Sequence, residues 1–85
     1  MGDFMEFILK EYVEKIREKD IKNYALKEGI NLNDDEVKII YMYIKNYWQV
    51  FYKGNPEELF LELKSKLSEN AYNKIIELYI EYKRK

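Results

Sequence analysis

The alternation of apolar and polar positions divides the chain into five helical stretches, of which Asn33–Gly54 is the most apolar. At about 100° per residue, Val37, Ile40, Tyr41, Ile44, Trp48 and Phe51 fall on one face of this stretch. Ile39, Tyr43, Val50 and Tyr47 extend that face or form a second. Lys38, Lys45, Gln49 and Lys53 make the clear polar strip. A helix that is apolar around most of its circumference is one that its neighbours bury, so this stretch is predicted to be central. Asn33 and Glu36 have the spacing of a capping box, with an acidic first turn. Gly54 is expected in the left-handed conformation just past the helix end.

The flanking stretches follow the same logic. Asp3 is predicted to cap a helix reaching about Lys19, with Met5, Ile8, Leu9, Tyr12, Val13 and Ile16 inward. Phe4 and Phe7 fall off that face and either fold back over the core, the favoured expectation, or serve a partner. Asp20 reads as the cap of a short helix, Ile21 to Glu28, stopped by Gly29. An extended linker follows, in which Ile30 and Leu32 alternate inward. Asn55-Pro56-Glu57-Glu58 combines a cap residue, a proline at the first helical position and a glutamate three residues past the cap. The helix it starts is predicted to bury Leu59, Phe60, Leu63 and Leu67, leaving Leu61 opposite. Ser68 is predicted to cap a last helix to about Arg84, with Ala71, Ile75, Leu78, Tyr79 and Tyr82 inward and Tyr72, Ile76 and Ile80 widening the face.

No stretch shows the period-two alternation of a half-buried strand, and no linker is long enough to divide the chain. The expected fold class is therefore all-α: a compact bundle of about five helices, residues 1–85 as a single helical domain, with Asn33–Gly54 central. Ile40, Tyr41, Ile44, Trp48, Phe51, Leu63, Ile75 and Leu78 are the expected core.

Composition narrows the function mainly by exclusion. A hydrophobic content of 47% supports a core even in 85 residues, a length at which burial is only just adequate. The chain has no cysteine and no histidine, which removes disulfides, cysteine zinc sites, thiol nucleophiles and imidazole acid–base chemistry. Gly2, Gly29 and Gly54 are isolated, so no phosphate loop is formed. Asp34, Asp35 and Glu36 diverge around a helix without calcium-loop spacing, and capping accounts for them. The expectation is no enzyme, no cofactor and no metal. The apolar run Ile39–Tyr52 is interrupted by Lys45, Asn46 and Gln49 and is too short for a membrane span. Phe4–Leu9 is broken by Glu6 and lacks the features of a signal peptide. Glu6 also stands where a myristoylation signal at Met1-Gly2 needs Ser or Thr. A cytoplasmic location is expected.

Charge bears on partners. Fifteen basic and sixteen acidic residues give a net charge of −1, interspersed along the chain. Ala25 and Gly29 have the spacing of a helix-turn-helix. However, Asp35 and Lys38 fall where that motif needs apolar residues, and Asp34–Glu36 would meet the phosphates. The alternative to a protein partner is a nucleic-acid-associated protein using Lys38, Lys45, Lys53 and the tail Lys83, Arg84, Lys85, although a basic helix end also complements the helix dipole. The leading expectation rests on surplus apolar surface: a non-catalytic protein-interaction or self-association module, a homodimer being the commonest closed form. Its expected contact residues are Ile39, Tyr43, Val50, Leu61, Ile76 and Ile80.

Asp20-Ile21, Tyr24-Ala25, Gly29-Ile30-Asn31-Leu32-Asn33 and Glu36-Val37 together resemble the middle of the YqfT-like family, small helical proteins of unknown function from Gram-positive spore-forming bacteria. Pro56-Glu57-Glu58-Leu59, Leu63 to Ser68, Lys74-Ile75 and Glu77-Leu78-Tyr79 resemble its C-terminal half. The similarity runs from about Phe7 to Tyr82, and the aromatic run Tyr41–Tyr52 is heavier than the family pattern. The resemblance implies a helical fold and a bacterial setting, and it carries over no site.

Overall fold

Each helix begins where a side chain can satisfy the N–H groups that its first turn leaves open. In the computed structural model, which describes residues 3–84, five helices follow one another: α1 (Phe4–Lys15), α2 (Glu18–Lys27), α3 (Asp34–Lys53), α4 (Glu57–Lys66) and α5 (Glu69–Arg84). The described residues contain no strand, and the chain is an all-α bundle. The Asp3 carboxylate accepts the Glu6 N–H at 2.6 Å. Asn33 Oδ1 accepts the Glu36 N–H at 2.8 Å while Glu36 reaches back to the Asn33 N–H at 3.2 Å, completing the capping box. Ser68 Oγ accepts the Ala71 N–H at 3.3 Å.

Four local expectations are corrected. α1 ends at Lys15, because Ile16 and Arg17 are extended, and α2 starts at Glu18. Asp20 is therefore not the cap but the third residue of α2, where its carboxylate accepts the Arg17 N–H at 2.9 Å. Pro56 precedes α4 rather than opening it, and Asn55 caps through the Glu57 N–H at 3.1 Å. Gly54 is not left-handed; its φ is −101°. A Cβ there would lie 3.1 Å from Val50 Cα and 3.2 Å from the Val50 carbonyl oxygen, a close approach that glycine makes without displacing its neighbour. The left-handed glycine is Gly29, with φ +83°. It closes α2 in a Schellman motif, with Ile30 N–H donating to the Ala25 carbonyl and Gly29 N–H to that of Leu26.

α3 packs against α2 and α1, whereas α4 and α5 pair with each other. The buried cluster joins the two halves around the start of α3: Ile16, Ile21, Leu32, Val37, Phe60, Leu63, Leu67 and Ala71. This corrects the expected core. Of the eight residues named from sequence, Leu63 is buried, while Ile40, Tyr41, Ile44, Trp48, Phe51, Ile75 and Leu78 are half-buried. The reason is geometric. A 20-residue helix is about 30 Å long, and only its start, at Val37, lies in the buried cluster that joins the two halves. Beyond Val37, α4 meets it at the Tyr43–Glu62 hydrogen bond and the Phe51–Phe60 ring pair, and α5 meets it where Lys83 reaches the Tyr52 carbonyl. α3 also breaks at Tyr47 (φ −131°, ψ 16°), and nothing in the neighbouring sequence explains the break. Past it, Phe51 meets Phe60 with ring centroids 5.3 Å apart, and Phe60 in turn meets the Tyr79 ring edge-on at 5.0 Å.

Candidate interaction surface

Because α4 and α5 stand off from α2, an apolar cleft of about 350 Å³ opens along α3. α3 supplies its floor through Ile40, Tyr43, Ile44 and Phe51. One wall is Ile21, Tyr24 and Ala25 of α2, and the other is Ala71, Ile75, Leu78 and Tyr79 of α5. The charged groups lining it are Asp20, Glu28 and Lys74. Lys74 bridges the walls through a 3.5 Å ion pair with Glu28 and also meets Glu77 at 3.3 Å. The hydrogen bond that Lys74 donates to the Glu77 carboxylate, against a smaller opposing effect of burial, raises the Lys74 pKa above its ordinary value, so its ammonium stays charged and engaged. A cleft of this size and polarity suits apolar side chains or an apolar molecule.

The six contact residues expected from sequence do not form one patch. Tyr43 lines the cleft, and its hydroxyl donates to Glu62 on α4 at 2.6 Å. That bond, with burial and the Glu62 charge, pushes the phenol pKa up to about 12. Ile39 and Ile76 pack against the core and Val50 is half-buried. Leu61 and Ile80 are exposed.

Three lysines of the alternative reading make contacts within the fold, although Lys53 and Lys83 remain exposed. Lys45 Nζ donates to the carbonyls of Val13 at 2.7 Å and Glu14 at 3.2 Å, capping the C-terminus of α1. Lys53 pairs with Glu6 at 3.0 Å. Lys83 donates to the Tyr52 carbonyl at 2.8 Å and lies over the Tyr79 ring. Lys38 and Arg84 are exposed, and Lys85 lies outside the described residues. Among the described residues no cluster of acidic side chains is placed to hold a metal ion, and no helix is long and apolar enough to cross a membrane.

The outer face of α1 corrects the sequence reading, which turned Met5, Ile8 and Tyr12 inward and favoured packing Phe4 and Phe7 over the core. Leu9, Val13 and Ile16 turn inward, but Phe4 is 78% exposed, Tyr12 62% and Phe7 60%, with Met5 and Ile8 exposed beside them. Polar contacts set this rotation. Asp3 accepts from the Tyr52 hydroxyl at 3.2 Å, and Glu6 accepts from Lys53 at 3.0 Å and Gln49 at 3.3 Å. Both carboxylates face α3, so the residues opposite them on the wheel face solvent. Burial first, then the Asp3 carboxylate, raises the Tyr52 pKa and keeps that phenol a donor. The signal was present in the sequence: Phe4, Ile8 and Tyr12 are four apart and share a face. Tyr12 also borders the cleft, making the α1 stripe and the cleft one continuous apolar surface. Comparison with protein-family profiles, with characterised proteins and with solved structures found no match to this chain.

Proposed function

We propose that this chain is a cytoplasmic, non-catalytic protein-interaction module, and that self-association is its primary mode. The observation that supports this is area. The molecule exposes 6438 Å², whereas a folded monomer of its 10.5 kDa exposes about 5,400 Å². The excess, about 1,000 Å², is close to the roughly 800 Å² that one partner contributes to a standard interface. The radius of gyration of 12.7 Å exceeds the roughly 11.9 Å typical of 85 residues in the same sense. A net charge of −1 leaves two copies with little mutual repulsion.

Light scattering over a wide concentration range, paired with a neutral environment-sensitive dye, tests the reading. A mass that rises above one chain with concentration is the expected result. A one-chain mass throughout, with no dye enhancement, would show that the five helices cover their own apolar surface, and the proposal would fail.

A further inference from the structure

Resting on that reading, we infer that the partner is a second copy of this chain and that the two copies pair through α1, antiparallel, about a two-fold axis at Ile8. Two features of α1 carry the inference. The first is its size. At about 150–250 Å² per aromatic side chain, the exposed parts of Phe4, Met5, Phe7, Ile8 and Tyr12 leave on the order of 600 Å² in solvent. That reaches the top of the range for the largest patch on a monomer, about 300–600 Å² and often functional, and approaches the roughly 800 Å² that one partner contributes to a standard interface.

The second is self-complementarity. A two-fold interface needs one patch that matches its own rotated copy. With the axis at Ile8, residues whose numbers sum to 16 lie opposite one another. Ile8 then faces its own mate, Phe4 lies against Tyr12 of the other copy, and the two Phe7 rings meet on one flank. Tyr12 also reaches Met5 of the other copy on the other flank. The charges tolerate this register. The two Glu11 side chains on the flank are six positions apart, about 9 Å along the axis at 1.5 Å per residue, near the screening length of physiological salt. Glu6 is already neutralised by Lys53 on the face turned toward α3.

The chain has no cysteine, so single substitutions report proximity without background. Under mild oxidation of the full chain, Ile8→Cys should form a covalent dimer, because its thiol meets its own symmetry mate within disulfide reach. Leu61→Cys, on exposed α4, should not. Phe4→Lys, at the most exposed position, should abolish the concentration-dependent mass while leaving far-ultraviolet circular dichroism unchanged, which keeps the test decisive should Ile8→Cys fail to fold. If the wild-type mass rises but Leu61→Cys cross-links and Ile8→Cys does not, the α1 pairing is wrong and the self-association reading stands. If the mass stays at one chain while the dye binds, the second copy is the wrong partner. Cosedimentation of that monomer with phosphatidylcholine vesicles would assign the stripe to a lipid surface and overturn the inference.

Discussion

Glu36 is the side chain on which the two halves of the fold converge, and its removal has a calculable cost. It is 6% exposed. One carboxylate oxygen accepts the Asn33 N–H at 3.2 Å, and the other accepts the Ser68 N–H, at the start of α5, at 2.8 Å. A hydrogen bond to a charged group contributes about 1.5–3 kcal/mol. Asn33 and Ser68 are themselves exposed, so their freed N–H groups can partly rehydrate, which favours the low end. Glu36→Ala should therefore destabilise by about 3 kcal/mol, a large share of the roughly 5 kcal/mol expected at the lower end for small domains. Glu36→Gln should cost about 1–2 kcal/mol, because it keeps one acceptor and turns an NH₂ toward the other donor. Urea titration at neutral pH measures both.

The same contacts predict an acid dependence. Burial alone would raise the Glu36 pKa, but the Ser68 and Asn33 backbone bonds and the Ser68 hydroxyl outweigh it and bring it below the ordinary 4.5. A lowered folded-state pKa means that the charged form is favoured in the native state. Its stabilisation is then fully present above about pH 4.5 and is lost as the pH falls through the lower native value. Stability of the wild type should fall over that acidic window more steeply than that of Glu36→Gln. An Ala variant within 0.5 kcal/mol of wild type, about the effect of a neutral surface substitution, would refute the reasoning. So would a Gln variant with an identical acid profile.

Other consequences are open to direct measurement. In an alkaline absorbance titration one tyrosine should ionise near pH 12, and that step should disappear in Tyr43→Phe and move down in Glu62→Gln. Because the native pKa is raised, the bond contributes below about pH 10 and is lost as the pH rises through 12; Tyr43→Phe should cost about 0.5–1.5 kcal/mol at neutral pH. Gly29→Ala should cost about 1–2 kcal/mol through its positive φ alone, since a Cβ there meets nothing within 4 Å, and Gly29→Asn should cost less. Gly54→Ala should also destabilise, but through its contact with the Val50 backbone, so Asn should give no rescue there; thermal melts separate the two cases. Lys45→Met should cost about 1–3 kcal/mol and speed amide exchange in α1 more than in α5, because it uncaps the Val13 and Glu14 carbonyls.

What was legible in the sequence was local. Asp3, Asn33, Glu36 and Ser68 bond backbone groups three residues away, so these roles depend on spacing alone, and these caps stand where the spacing puts them. The all-α class follows from the same short-range periodicity. Where a local signal had two solutions, such as Asp20 as cap or as third helical residue, the choice fell to the extended Ile16–Arg17 pair between α1 and α2.

What the tertiary structure decided was the direction each helix faces and the extent to which it is covered. α1 carries apolar residues on both sides of its wheel. Asp3 and Glu6 break the tie by bonding partners more than forty residues away, a choice that periodicity within twelve residues cannot encode. The second oxygen of Glu36 finds Ser68, and Lys45 finds the end of α1, for the same reason: these bonds exist only after distant helices are packed. The half-covered state of α3 is likewise a property of how far α4 and α5 stand from α2. Sequence determined that Asn33–Gly54 is apolar on most sides; only the packing determined that one of those sides opens onto a cleft, because burial depends on the neighbours as well as on the helix itself.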